Sequence, residues 1–401
     1  MKSYSVYQMG LATIMSAGMA VATFEPVCAA SLYSVIDLGN FGAQQIFVSG
    51  INNSGQVVGT LFFDDNDVSA LAFRTAANSP INLATDILNV PGSFASFGFD
   101  INDLGQVVGI VFPNGKGLTG FRTAANAPLN LATDNLGIEN TNFADGINNL
   151  GQVVGRQILV EESRARSFRT KPNQLVDFTT DDLGSLGDIG VGATSTNTNV
   201  RRINDLGQAV GSSENLEGET RAFRTAPNSR INPLTDDLGT LGGSQSEAAD
   251  INNLGQVVGS STNASGQLRA FRTAPNSRIN PLTDDLGTLG GTNSVGIAIN
   301  NLGQVVGYSE TTSGDRSHAF LYDNGQMLDL NDLIPPIPGV TLDFAGGIND
   351  LGQIVASGSN RAFLLTPIVS TSIPEPDSGL GVLAFVALGT SLLAKRKQKL
   401  T

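Results

Sequence analysis

Residues 251–259 read INNLGQVVG, and the same word returns along the chain. It stands as INNSGQVVG from Ile51, INDLGQVVG from Ile101, INNLGQVVG from Ile147 and INDLGQAVG from Ile203. It recurs as INNLGQVVG from Ile299 and INDLGQIVA from Ile348. The successive spacings are 50, 46, 56, 48, 48 and 49 residues. Each copy leads to a second landmark: AFRT at 72–75, GFRT at 120–123, SFRT at 167–170, AFRT at 222–225 and 270–273, AFLY at 319–322, and AFLL at 362–365. A third, TDDLG, stands at 235–239 and 283–287, with looser versions from Thr133 and Thr180. Repetition at a fixed period means that one supersecondary unit is stacked many times.

Each unit reads as four short strands. The first is apolar and ends at Ile-Asn. The Asn-(Asn/Asp)-Leu-Gly that follows makes a tight turn, with Asn and Asp bonding their own backbone and Gly taking positive φ. Gln-Val-Val-Gly opens the second strand, the landmark Phe sits in the third, and the segment ending in Asp-Leu-Gly is the fourth. No run of ten or more residues has helical periodicity, and repeated glycines and β-branched residues favour strands. Four strands in about 48 residues suit a β-propeller blade and are too long for one coil of a β-helix. The segment YSVIDLG at 33–39 resembles a fourth strand, and the seventh copy lacks one after residue 365. The expectation is an all-β, seven-bladed β-propeller over 31–368, closed by its N-terminal strand, with an open solenoid as the alternative.

Composition narrows the function. Hydrophobic residues make up 40% of the 401, enough for a large core. Charged residues are only 15% and the net charge is −13, so nucleic acid is not an expected partner. One His and one Cys exclude zinc sites built from Cys and His and any disulfide framework.

The ends read as addresses. Residues 1–30 have the layout of a secretory signal peptide: Lys2, an apolar run at 11–24, and small residues at Cys28, Ala29 and Ala30. Cys28 leaves with the signal on this reading. At the other end, a linker at 369–378 carries Pro374, Glu375 and Pro376. An apolar stretch follows at 379–394, then a basic tail with Lys395, Arg396, Lys397 and Lys399. Sixteen apolar or small residues are short for a span, and the basic tail would hold that end in the cytoplasm. This three-part pattern resembles the PEP-CTERM sorting signal of bacteria. The resemblance implies export, a precursor anchored in the inner membrane by a C-terminal transmembrane helix (379–401), and cleavage by an exosortase-type sorting peptidase. The mature form would reach the cell surface or medium, in a setting rich in exopolysaccharide.

The repeats are similar to those of the HAF-repeat family of extracellular proteins. The namesake triplet stands once, as His318-Ala319-Phe320, and the INxxGQVVG and DLGTLGG segments match the pattern. The resemblance implies a repeat architecture and export and supplies no catalytic residue.

Catalytic constellations are scarce. His318, the sole His, would have to serve any Ser-His-Asp arrangement, yet it fills a place held by Arg221 and Arg269 in other copies. Asp181-Asp182, Asp236-Asp237 and Asp284-Asp285 recur once per unit, so they are expected around a ring, capping turns or pairing with Arg224 and Arg272, rather than facing each other at one site. Asp64, Asp65 and Asp67 offer oxygens for a Ca²⁺ ion, without EF-hand spacing; a solvated acidic loop is the plainer reading. No other cofactor is expected. The 2–3 loops at 61–70, 111–119, 156–166, 212–221, 260–269 and 308–318 vary most, together with 188–200. In an up-and-down blade these share one face with the 4–1 connections, and a variable face on a rigid scaffold is where binding is placed.

The expected function is therefore that of an exported, non-catalytic surface or matrix protein, with extracellular polysaccharide or a surface protein as partner. Two alternatives remain open. A carbohydrate-active enzyme would bring two carboxylates from different units to one pocket, at least one with a raised pKa. A Ca²⁺-dependent lectin would lose its ligand to a chelator.

Overall fold

The computed structural model describes residues 32–63, 69–115, 117–137, 142–159, 161, 164–187, 197–312, 314 and 317–368. The expected signal peptide at 1–30, the candidate cation ligands Asp64, Asp65 and Asp67, the expected linker at 369–378 and the expected transmembrane segment at 379–401 lie outside them. Met1–Ala30 separates from Ser31–Thr401, and every described element belongs to the latter. Among the described residues no helix is long and apolar enough to cross a membrane.

The chain opens with β1 (Tyr33–Asp37) and then repeats a three-stranded antiparallel meander. The first is β2 (Gln45–Ile51), β3 (Val57–Phe62) and β4 (Ala70–Arg74). The second is β5 (Ser93–Ile101), β6 (Val107–Pro113) and β7 (Thr119–Arg122), followed by the single turn α1 (Leu131–Asp134). Then come β8 (Asn142–Ile147), β9 (Val153–Leu159) and β10 (Arg164–Arg169), and β11 (Thr198–Ile203), β12 (Ala209–Glu214) and β13 (Thr220–Arg224). The fifth is β14 (Gly242–Ile251), β15 (Val257–Asn263) and β16 (Leu268–Arg272). The sixth has four strands, β17 (Gly290–Ile299), β18 (Val305–Thr311), β19 (Ser317–Asp323) and β20 (Gln326–Asp329), with the turn α2 (Leu330–Leu333). The last is β21 (Phe344–Ile348), β22 (Ile354–Gly358) and β23 (Arg361–Pro367). The whole is all-β and propeller-like.

Strand β1 does not pair with its sequence neighbour. It runs antiparallel to β23, from Tyr33 opposite Pro367 to Asp37 opposite Phe363. The expected fourth strand is full length only there and in β20. In five units it shrinks to one antiparallel bridge opposite the landmark Phe: Phe73 with Ile87, Phe121 with Asn135, Phe168 with Asp182, Phe223 with Asp237, Phe271 with Asp285. The cause is local. Arg224 N donates to Asp236 O and Leu238 N to Ala222 O, and then Gly239 takes φ 77° and turns the chain away.

The core lies between units. Seven landmark phenylalanines, Phe73, Phe121, Phe168, Phe223, Phe271, Phe320 and Phe363, are among the largest fully buried side chains. Phe271 packs with Val257 and Ala248 of its own unit and with Val210, Ala222 and Leu238 of the one before. Phe73 packs likewise on Val355, Ala362 and Leu364 of the last unit and on Leu38. Burying each such ring stabilises by about 2–3 kcal/mol.

The Asn after each Ile ties the units edge to edge. Its Nδ2 donates to the equivalent carbonyl of the next unit: Asn52 to Asn102 O, Asn102 to Asn148 O, Asn148 to Asn204 O, Asn204 to Asn252 O, Asn252 to Asn300 O and Asn300 to Asn349 O. Asn349 donates to Asn52 O at 3.0 Å, which brings the series back to its start. The Arg of FRT works in the same direction. Arg74, Arg122, Arg169, Arg224 and Arg272 donate to the carbonyls of Gly105, Gly151, Gly207, Gly255 and Gly303 in the following unit. Their hydrogen bonds thus go to buried backbone carbonyls, and Asp236 acts on Arg224, as Asp181 does on Arg169, through charge rather than a direct ion pair.

Candidate functional site

Seven inner strands line the centre, and each breaks register just before its Ile. The breaks fall at Val48/Gly50, Gly98/Asp100, Ala144/Gly146, Val200/Arg202, Ala248/Asp250, Gly296/Ala298 and Ala345/Gly347. A bulge inserts one unpaired residue and re-aims its side chain. The inserted residues are Ser49, Phe99, Asp145, Arg201, Ala249, Ile297 and Gly346, and all seven line one central cavity of about 440 Å³. The strand directions place this cavity toward the face that carries the 2–3 loops.

The cavity has two unlike walls. Phe47, Tyr308 and Phe344 form an aromatic wall, with ring centroids 5.0 Å apart for Phe47–Phe344 and 6.1 Å for Tyr308–Phe344. Asp145, Arg156, Arg201, Arg202 and Glu247 supply charge. Arg156 Nη1 donates to Asp145 Oδ1 at 2.9 Å and to Asn199 Oδ1 at 2.8 Å. Arg201 and Glu247 are exposed, and among the described residues neither side chain makes a hydrogen bond. Asp145 Oδ2 is buried and has no hydrogen-bond partner among the described residues. Burial pushes the Asp145 carboxyl up, against the pull of Arg156, Arg201 and Arg202.

Arg202 forms the floor. Its Nη1 donates to Asp145 O at 2.7 Å and its Nη2 to Phe99 O at 3.1 Å and Ser49 O at 3.4 Å, while Nε lies 3.7 Å from Asp100 Oδ2. One guanidinium from the fourth unit thus reaches the first three. Beyond it lies a smaller cavity of about 180 Å³ that Arg202, Asp100 and Asp250 also line. Asp100 accepts from Ile101 N and Ile147 N; Asp250 accepts from Ile251 N and Ile299 N. Burial raises both carboxyls and takes Asp250 up to about 6, with the Asp100 charge adding to the rise and Arg202 opposing it.

The far mouth is a polar ring from the residue after each ring-closing Asn. Asn53, Asp103, Asn149, Asp205, Asn253, Asn301 and Asp350 each accept, through Oδ1, a backbone N–H from the unit before at 2.8–2.9 Å. The Oδ2 atoms of Asp103, Asp205 and Asp350 each accept two Asn amides. Among the described residues no group of three His, Cys, Asp or Glu could hold a metal ion.

The residues singled out from sequence fall elsewhere. His318 bonds Asp329 through Nδ1 on the outer strands. Arg166–Asp182 at 3.3 Å and Arg221–Asp237 at 4.0 Å repeat that pairing, so His318 fills a place that elsewhere holds a structural ion pair. The first carboxylate of each Asp-Asp pair is buried and caps its loop: Asn232 N donates to Asp236 Oδ2 and Thr235 Oγ1 to Asp236 Oδ1. Pro374, Glu375 and Pro376, the basic residues at 395–399, and Asp64, Asp65 and Asp67 lie outside the described residues. Sequence reading did not single out Asp100, Asp145, Arg201, Arg202 or Asp250. For Asp100, Arg202 and Asp250 the signal was the column just before Ile-Asn, which reads Gly50, Asp100, Gly146, Arg202, Asp250, Ala298, Gly347. Three charges among small residues on an innermost strand mark a channel.

A family model described as a protein of unknown function (DUF3466) matches residues 244–362. No curated protein matches the sequence. Among solved structures, an inactive virginiamycin B lyase from Staphylococcus aureus is similar at 12% identity and TM-score 0.39, covering 84% of this chain and all of its own. TolB from Acinetobacter baumannii matches at 12% identity and TM-score 0.43, over 78% of this chain and 64% of that one. The WD40 domain of a Toxoplasma gondii coronin matches at 7% identity and TM-score 0.42, over 85% and 88%.

Proposed function

We propose that this chain is an exported, non-catalytic surface or matrix protein: a seven-bladed propeller of the HAF-repeat kind, sorted by an exosortase-type peptidase acting near Pro374-Glu375-Pro376. Its ligand is an acidic sugar unit of an extracellular polysaccharide, held in the central cavity. The observation that carries this reading is the pairing of an aromatic wall with Arg201, whose guanidinium is open to the cavity. A pyranose ring stacks its C–H face on Phe47 and Phe344, and a sugar carboxylate takes the Arg201 fork. The exposed Glu247 supplies an acceptor for hydroxyls around that fork.

A carbohydrate-active enzyme is the second reading, favoured by Asp100 and Asp250 sharing one channel with raised pKa values. Two backbone N–H groups on each carboxylate, one from the neighbouring unit, give both a cross-linking task instead.

The test is a glycan array probed with the processed protein, residues 31–373, with Ca²⁺ and again with EDTA. Saturable binding to uronic-acid glycans is expected in both conditions, weakened at least tenfold by Arg201→Ala. Unchanged binding by Arg201→Ala would remove the cavity as the site. Binding lost in EDTA would move it to the acidic loop at Asp64, Asp65 and Asp67. Product release that Asp250→Asn abolishes would bring the enzyme reading forward.

A further inference from the structure

The turn face, opposite the cavity mouth, carries apolar side chains that the fold does not use. Leu104, Leu150, Leu206, Leu254, Leu302 and Leu351 follow the residues of the polar ring and encircle it. Leu302 is 70% and Leu351 65% exposed, and the other four are about half exposed. The turn does not need them. In the first unit Ser54 takes the same place, and its N–H bonds Asn52 Oδ1 at 3.2 Å as the Leu104 N–H bonds Asn102 Oδ1 at 3.2 Å. The 3–4 loops of the same face add Leu234 and Leu282, 88% and 92% exposed. Isolated exposed leucines need no explanation, but a ring of them on one face marks a docking surface.

The chain ends say what covers it. Strand β23 runs toward the turn face, and an added Cβ at Gly352 of the last turn would sit 3.3 Å from Pro367 Cγ. Leu32 leaves from the same edge, since Ile368 N donates to Leu32 O at 2.8 Å. Both apolar segments of the sequence, 11–24 and 379–394, therefore connect to this face. The ten residues 369–378 reach at most about 35 Å when fully extended. We infer that the leucine face docks on the phospholipid bilayer that the 379–394 stretch enters, holding the cavity mouth away from the membrane while the precursor awaits sorting. Lys171, Arg230 and Arg278 are exposed on the loops of that face, at the place where lipid headgroups would lie. The three carboxylates of the polar ring are each covered by two Asn amides, which mutes charge at its centre. The inference rests on the sorting reading for its anchor.

The experiment keeps the two separable. Chain 31–401, which has no cysteine of its own, is reconstituted into vesicles of phosphatidylethanolamine with a minor share of phosphatidylglycerol. A bimane reporter is attached to Leu302→Cys on the leucine face or to Ser265→Cys on the opposite face, both exposed. Quenching by spin-labelled lipid is read before and after a carbonate wash. Docking predicts several-fold stronger quenching at residue 302 than at 265. Equal quenching in protein that resists the wash overturns docking and leaves the anchor standing. Selective quenching at 302 in protein that the wash removes overturns the anchor and keeps docking. Equal quenching in protein that washes off overturns both.

Discussion

Asp250 acquires its role when a bulge aims it into a channel built by other units. Its folded pKa of about 6 lies above the 3.8 of an unfolded Asp. The folded state therefore holds the proton more tightly, and stability falls as pH rises from about 4 to 6. The fall is on the order of 2–3 kcal/mol for this group. Thermal unfolding across that interval should show a shallower decline for Asp250→Asn than for the parent. Equal slopes would remove Asp250 as the buried acid. The turn residues beside it were legible in the sequence because their chemistry is local. Gly255 must take φ 75°, and an added Cβ would lie 2.3 Å from Asn276 Oδ1. Asn252 must bond its own turn, and it accepts from Leu254 N and Gln256 N. Asp250 was not legible, because its partners come from units far along the chain.

At the scale of elements, the hydrophobic pattern placed inner, middle and outer strands correctly because each has a landmark fixed by packing. Ile-Asn ends the first, Val-Val opens the second, and the buried Phe centres the third. The fourth strand was overread in five units, since one or two backbone bonds hold it and, in four of them, a positive-φ glycine then turns the chain away. The bulges were not readable, because a period of two conceals one inserted residue. Pairing of β1 with β23 was legible from the repeat pattern: YSVIDLG supplied the segment that the seventh copy lacked. Without β1, the backbone edge of β23 from Ala362 to Thr366 would be open, an aggregation hazard. In a protein spanning residues 31–373, deleting residues 32–39 should produce concentration-dependent oligomers on size-exclusion chromatography that the parent does not form, and lower its Tm. A deletion variant that stays monomeric with parental Tm would show that β1 does not complete the last unit.

The whole molecule depends on closure. Each unit buries its landmark Phe against its neighbour and passes one Asn bond onward, so an open row would strand one apolar face and one unpaired edge. A cavity lined by residues from all seven inner strands exists only if the row is closed, and so does a leucine ring concentric with it. Small-angle X-ray scattering of residues 31–373 tests this most directly. A closed ring of about 340 residues predicts a radius of gyration near 20 Å, the value of a compact domain of that length. A markedly larger radius, with the scattering profile of an elongated rod, would contradict closure and take the central cavity with it.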